Sequence, residues 1–365
     1  MSGEPPGTSE QARGGTSTWA RLAELPLTVQ GYELEGLEQE FSSEFQRKTT
    51  VIRLRGAGEE GVGEDVTYTP ADHERLQGAG PTLALAGNFT VGSFAAHVRA
   101  LGTFPSPPER PEFRLYRDWA FDAAALDLAL RQAGASLHEV LGREPRGVRF
   151  VASLRLGEPP TLDPLRRRLE RAPNARFKLD PTPSWNDWLV EQLVALGVVD
   201  SVDLKGQYEG TIVDNPGDPG LYERVIEAFP HAWIEDPKLT PDTEAVLRGH
   251  WERVTWDAPI HGVADIEALA VKPRMINIKP SRLGGLRSLL DTYDHCAAHG
   301  IGCYGGGQSE LGPGRGQIQY LASLFHPDAP NDVAPSDYNL PQPPPHLPPS
   351  PLPPAPDGPG FRWPT

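Results

Sequence analysis

The stretches SVDLKGQY (201–208), WIEDP (233–237), VTWDAP (254–259) and INIKP (276–280) carry the reading of this chain. Each is a short apolar run that ends on or next to a charged residue: Asp203, Glu235, Asp257 and Lys279, at intervals of 32, 22 and 22 residues. Such an interval accommodates one strand, one helix and two loops, the length of a β/α repeat. In a closed β/α barrel the C-terminal ends of all strands open onto one mouth. Three carboxylates gathered there suit a hard cation, and a lysine beside them suits proton transfer.

Working outward, the same pattern extends in both directions. Upstream, VRFVASLRL (148–156) precedes TLDPLRRRLERA (161–172), and RFKLD (176–180) precedes SWNDWLVEQLVALG (184–197). Downstream, the helix GGLRSLLDTYDHCAAHG (284–300) leads to CYGGG (303–307) and the helix RGQIQYLASLF (315–325). Seven strands in this register predict a barrel rather than an open doubly wound sheet, whose Gly-rich phosphate loop SLRLGEPP does not supply. Before it, LTVQGYELEGLEQEF (27–41) and KTTVIRLRGAGEEGVGEDVTY (48–68) alternate as strands joined by Gly-containing turns, with helices between 70 and 140, which predicts a small α+β domain. The expected division is a disordered N-terminus over 1–24, the α+β domain over 25–145, the barrel over 146–330 and a Pro-rich tail over 331–365. The tail is too rich in proline for a helix or interior strand and reads as an extended spacer, pinned to the surface by PGFRW (359–363).

Composition narrows the function. The net charge of −15 and the lack of a basic cluster argue against a nucleic-acid surface. Cys296 and Cys303 are the two cysteines, which fits reduced thiols better than a disulfide framework. No apolar stretch reaches a membrane span and MSGEPPGTSEQARGG (1–15) lacks the core of a signal peptide, so a soluble cytoplasmic protein is expected. His295 and His299 share a helix face at metal-binding spacing but lack the glutamate of H-E-x-x-H, and read, like His231, His250 and His261, as surface or helix-end residues.

The stretch 276–324, INIKPSRLGGLRSLLDTYDHCAAHGIGCYGGGQSELGPGRGQIQYLASL, resembles the enolase superfamily, in particular the muconate-cycloisomerase-like group with its o-succinylbenzoate synthases and N-succinylamino acid racemases. The likeness lies in the lysine strand, the GG helix start and the GG-x-x-E-x-G-x-G-R turn, and it extends over about Leu25 to Leu340. It implies a modified TIM barrel, (β/α)7β, under an N-terminal α+β capping domain. It also implies a Mg2+ ion, or Mn2+ in its place, on Asp203, Glu235 and Asp257, with Lys279 as the group that moves the α-proton of a small-molecule carboxylate. By the same resemblance FSSEFQRKTTVIRLRGAGEEGVGE (41–64) is the substrate-covering region, which makes Phe41, Phe45, Gln46 and Arg47 candidates for substrate contact, and Ser309 and Glu310 lie in the seventh-strand turn. Relatives are often symmetric assemblies, which leaves a homo-oligomer open.

The departures are informative. Related second strands carry K-x-K, a pair in which the outer lysine faces the one on the sixth strand; here the pair is Lys178 and Asp180, both candidates for the catalytic set beside Lys279. Two opposed lysines permit racemisation, because one takes the proton and the other returns it on the far side. Asp180 instead offers a carboxylate base, a hydrogen-bond acceptor for a substrate ammonium or hydroxyl, a partner for Lys279 or an extra metal ligand. Lys205 stands where the third strand usually has Asn, adding a cation that binds a second anionic group or screens the carboxylates. One convincing lysine favours a one-base outcome, β-elimination or cycloisomerisation, over racemisation. The alternative class is a metal- or small-molecule-binding homologue with impaired turnover.

Overall fold

The structure is a computed structural model and describes residues 17–364 apart from 43, 44, 212 and 357; of the side chains of residues 42 and 45 nothing is described. The N-terminal domain comprises β1 (Pro26–Val29), β2 (Gly31–Ser42), β3 (Phe45–Gly56), β4 (Glu59–Asp65), α1 (Pro70–Ala79), β5 (Gly87–Thr90), α2 (Val91–Leu101), α3 (Phe113–Gln132) and α4 (Leu137–Leu141). Strands β2, β3 and β4 form an antiparallel meander. Ala57 and Gly58, both at positive φ, make the tight turn between β3 and β4. The G-x-G of EEGVGED is no turn, as its position in β4 makes plain: a Cβ on Gly61 would lie 2.2 Å from the Ala124 carbonyl, and one on Gly63 2.0 Å from that of Ala120. These glycines and the alanines of α3 let helix and sheet meet backbone to backbone.

The second domain alternates strand and helix: β6 (Ala152–Leu154), α5 (Asp163–Leu169), β7 (Phe177–Leu179), α6 (Asp187–Leu196), β8 (Val199–Asp203), α7 (Pro219–Ala228), β9 (Trp233–Glu235), α8 (Pro241–Leu247), β10 (Val254–Thr255), α9 (Val263–Ala268), β11 (Met275–Ile278), α10 (Pro280–Leu283), α11 (Leu286–His299), β12 (Gly302–Gly305) and α12 (Pro313–Phe325). β6 to β10 pair in parallel in sequence order, and β11 pairs in parallel with β12. The Asn277 amide donates to the Trp256 carbonyl and joins the two sheets. The ring closes through Asn331 and Asp332, which bridge Phe150 on one side and Gly306 on the other. Read from sequence as the start of the tail, these two residues are the barrel's eighth strand, reduced to one bridge on each flank.

The expected disordered segment 1–24 falls on undescribed residues up to 16; from Ser17 the chain is folded, with Thr18 bonded to Asp294 through both its amide and its hydroxyl. At the other end the proline-rich segment begins with a 3-10 turn at Ser336–Asn339; beyond it the described residues form no helix, bridge Leu352 to Val148 and Gly360 to Ser136, and bury Phe361 and Trp363. Phe361 meets the edge of Trp119 with ring centroids 6.3 Å apart. Asp122 of α3 pairs with Arg99 and accepts the Leu286 amide at the start of α11, tying the first domain to the barrel. No described helix is long and apolar enough to cross a membrane.

Candidate metal and proton-transfer site

Side chains alternate along a strand, so Lys178 and Asp180 both point inward at the end of β7, Asp180 one layer nearer the mouth. Asp203 ends β8, Glu235 ends β9, Asp257 follows β10 and Lys279 follows β11, so one mouth collects them all. Asp203, Glu235 and Asp236 present ligand oxygens within 4.8 Å of one another, each fully buried. An oxygen-only, anionic donor set of this kind fits a hard divalent cation.

Lysines and arginines neutralise the cluster. The Lys178 ammonium, 1 % exposed, donates to Glu235 and lies 3.2 Å from both Asp203 and Asp332. Lys205 Nζ is 2.5 Å from Asp203 and 3.8 Å from Asp180. Lys279 Nζ donates to Asp257 Oδ2 at 2.6 Å, Arg282 pairs with Oδ1 of the same carboxylate, and the Tyr208 hydroxyl donates to its Oδ2 at 2.9 Å. Tyr304 donates to Glu235 Oε2 at 2.5 Å. Burial alone would push Asp203 up, but the Lys205 and Lys178 ammoniums bring it down to about 2. Asp257 is likewise pressed upward by burial and held below the usual carboxylate range by Arg282 and Lys279. Burial dominates at Asp236, which rises to about 7 with Asp257 and Asp203 nearby, and at Glu235, which lies well above its ordinary value despite Lys178.

Asp236 stands where Asp257 was expected in the three-carboxylate group. Its backbone has a φ of 47°, and its two oxygens accept the amides of Asp257 at 2.8 Å and Ala258 at 2.9 Å. Lys205 and Ser309 also carry positive φ, so among the described residues three of the four such non-Gly positions lie at the barrel mouth, where strained backbone commonly accompanies function. Asp236, Arg282, Tyr208, Tyr304 and Asp332 escaped the sequence reading. The first four lie inside quoted stretches and Asp332 in the segment read as tail, and only the fold reveals which way each points.

The expected substrate contacts need correction in one case. Arg47 is 1 % exposed, and its guanidinium donates to the carbonyls of Val66, Thr67, Gln308 and Ser309. It is a clasp between the first domain and the seventh-strand turn, with four of its five N–H donors spent on backbone carbonyls. Arg47→Met strands several of these carbonyls, and a loss of about 2–4 kcal/mol in urea unfolding is expected; an unchanged midpoint would contradict the clasp. Glu310 is turned into its own loop, accepting the Gln308 amide at 2.6 Å and pairing with Arg315 at 3.0 Å, so it shapes the turn in which Ser309 sits. Phe45 opens β3, but its side chain lies outside the described residues.

A Cβ on Gly306 would fall 2.4 Å from Asn277 Oδ1 and 2.8 Å from Lys279 Cε. Gly306→Ala therefore displaces the Lys279 stem, and any proton exchange that depends on Lys279 should fall by about 10- to 100-fold while the fold persists. Equal rates in wild type and variant would show that the lysine tolerates the shift.

Comparisons with known proteins agree with this architecture. Residues 20–140 match the family profile described as Domain of unknown function (DUF8230) N-terminal domain, and 144–340 that of the DUF8230 C-terminal domain. The chain is 28 % identical over 310 residues to an N-succinylamino acid racemase of Amycolatopsis sp, covering 81 % of each protein. It is 28 % identical over 229 residues to an o-succinylbenzoate synthase of Geobacillus stearothermophilus, covering 60 % of this chain and 59 % of the relative. Among solved structures, an enolase superfamily member from Listeria innocua superposes with a TM-score of 0.61 at 19 % identity, over 85 % of this chain and 86 % of the other. A muconate cycloisomerase from Pseudomonas fluorescens superposes at 0.58 and 19 % identity, over 84 % and 87 %. The chain thus belongs to the DUF8230 family and is built on the fold of the enolase superfamily.

Proposed function

We propose that the chain is a divalent-metal-dependent enzyme that removes the proton α to a carboxylate, with Lys279 as the base, and carries the product on to β-elimination or cycloisomerisation. The observation behind this reading is the placement of Lys279 Nζ, 2.6 Å from Asp257, at the mouth that also collects Asp203 and Glu235. Asp203, Glu235 and Asp257 would hold Mg2+ or Mn2+, Asp257 giving up contacts with Lys279 or Arg282 to the ion, and Asp236, whose carboxylate also lies within reach of Asp203 and Glu235, would fix the backbone that presents Asp257. The ion would offset the negative charge that grows on the substrate carboxylate as the α-proton leaves.

The chain's own groups divide the remaining work. Lys279, as the free amine, accepts the α-proton at Nζ. Lys178 lies beneath the carboxylates as a fixed counter-ion and does not face the substrate. Lys205, on the rim beside Asp180, attracts an anionic substrate group, and the turn holding Ser309 and Glu310 walls the mouth. Asp180 replaces the second lysine that two-sided proton transfer would use, which favours the one-base outcomes. Racemisation of an N-acyl amino acid is the second reading, supported by relatives named N-succinylamino acid racemase at 28 % and 27 % identity.

Product analysis separates the two. Single-enantiomer carboxylates, among them N-succinyl amino acids and β-hydroxy acids, are incubated with Mg2+ in D2O and the mixture is resolved by chiral chromatography and NMR. An unsaturated or cyclised product supports the first reading. Recovered starting acid that is deuterated and racemised supports the second.

A further inference from the structure

β7 and β11 are the second and sixth strands of the eight-position ring, four places apart, so Asp180 and Lys279 face each other across the mouth. A substrate held by its carboxylate between them meets the lysine on one side and Asp180 on the other. Asp180 is 9 % exposed, and among the described residues its Oδ1 has no hydrogen-bond partner. Its other oxygen has, among the same residues, Lys205 at 3.8 Å, which is already committed to Asp203 at 2.5 Å. The other charged groups acting on Asp180 are Asp203 on β8, Lys178 on its own strand and Arg155 beyond β6. A buried carboxylate accepts hydrogen bonds only, and leaving it unpaired is costly, so the bound state should supply a donor.

Charge balance indicates what kind. Six carboxyl groups stand around the mouth against four basic side chains. A substrate bringing a bare carboxylate adds one more negative charge to this acidic site, whereas one that also carries an ammonium does not. An ammonium next to the α-carbon further acidifies the proton that Lys279 is to take.

We propose that Asp180 is the specificity-determining residue of this site and binds the ammonium of an unacylated α-amino acid, on the side of the substrate opposite Lys279. This rests on the carboxylate-enolising reading above and departs from the acylated substrates in the relatives' names.

The test uses Mg2+-loaded full-length protein and the common α-amino acids in both configurations, each paired with its N-succinyl derivative. Binding is measured by calorimetry and α-proton exchange in D2O by NMR. At least one free amino acid should bind about 10- to 100-fold more tightly than its N-succinyl form, the range of a charge-assisted hydrogen bond, and Asp180→Asn should erase the preference. Asp180→Lys should reverse it. Unchanged Mg2+ affinity and thermal midpoint in both variants show that the fold is intact. Tighter binding of the N-succinyl forms by wild type, no binding of any free amino acid, or an undiminished preference in Asp180→Asn overturns the proposal. Preferential amino-acid binding without exchange of any α-proton would instead strike the reaction assigned to Lys279 and leave Asp180's role standing.

Discussion

Lys279→Ala lowers α-proton exchange by about a thousand-fold while Mg2+ affinity stays within a few-fold of wild type. Removing a positioned general base ordinarily costs two to four orders of magnitude. Among the described residues no other lysine is placed to take over, Lys178 being buried among Glu235, Asp203 and Asp332 and Lys205 held on the opposite side of the mouth by Asp203, and Asp180 stands on the face away from the proton Lys279 takes. Asp257 keeps Arg282 and Tyr208 when the lysine is gone, so the proposed metal ligand is not stranded. Stopped exchange with intact metal binding identifies a proton-transfer residue; parallel loss of both would reduce Lys279 to a counter-ion of Asp257.

Lys178→Met is expected to cost about 3–5 kcal/mol of stability in metal-free protein, the range for removing one partner of a buried ion pair. Its ammonium serves three carboxylates, of which Asp203 and Glu235 are fully buried. Tyr304 and Lys205 still reach Glu235 and Asp203, but neither sits between the two. Urea unfolding in EDTA measures the loss, and added Mg2+ should recover part of it, because an ion on the same carboxylates replaces the missing positive charge. A variant as stable as wild type without metal would mean that these carboxylates tolerate one another unaided.

Much of the barrel was legible because β/α repeats leave an evenly spaced signature, and the charged residues ending SVDLKGQY, WIEDP, VTWDAP and INIKP do converge on one mouth. The eighth strand was not, because Asn331 and Asp332 pair through single bridges and leave no alternation to read. The Gly-containing turn between the strands falls at Ala57–Gly58, but the role of Gly61 and Gly63 was not legible, since sequence gives the conformational freedom of glycine but not the neighbour that requires its small size.

The site divides the same way. Asp203, Glu235, Asp257 and Lys279 were named by position at strand ends, and Asp180 by its departure from K-x-K. Arg47 was misread because a loop arginine near a mouth carries no mark of whether its donors face substrate or backbone; four carbonyls claim them. Asp236 hides beside Glu235 because strand alternation sends neighbours to opposite faces, and only its positive φ turns it toward the Asp257 amide.

The central claim is that this barrel enolises a carboxylate through Lys279 with the help of a divalent ion. It is tested most directly by deuterium incorporation from D2O into the α-position of a panel of amino acids, N-acyl amino acids and β-hydroxy acids, run with Mg2+, with EDTA and with Lys279→Ala. The account predicts deuterium in at least one acid with Mg2+ and wild-type protein, and none in the other two conditions. Exchange that persists in Lys279→Ala or in EDTA, or its absence from every acid in a protein shown by calorimetry to bind Mg2+, would contradict it.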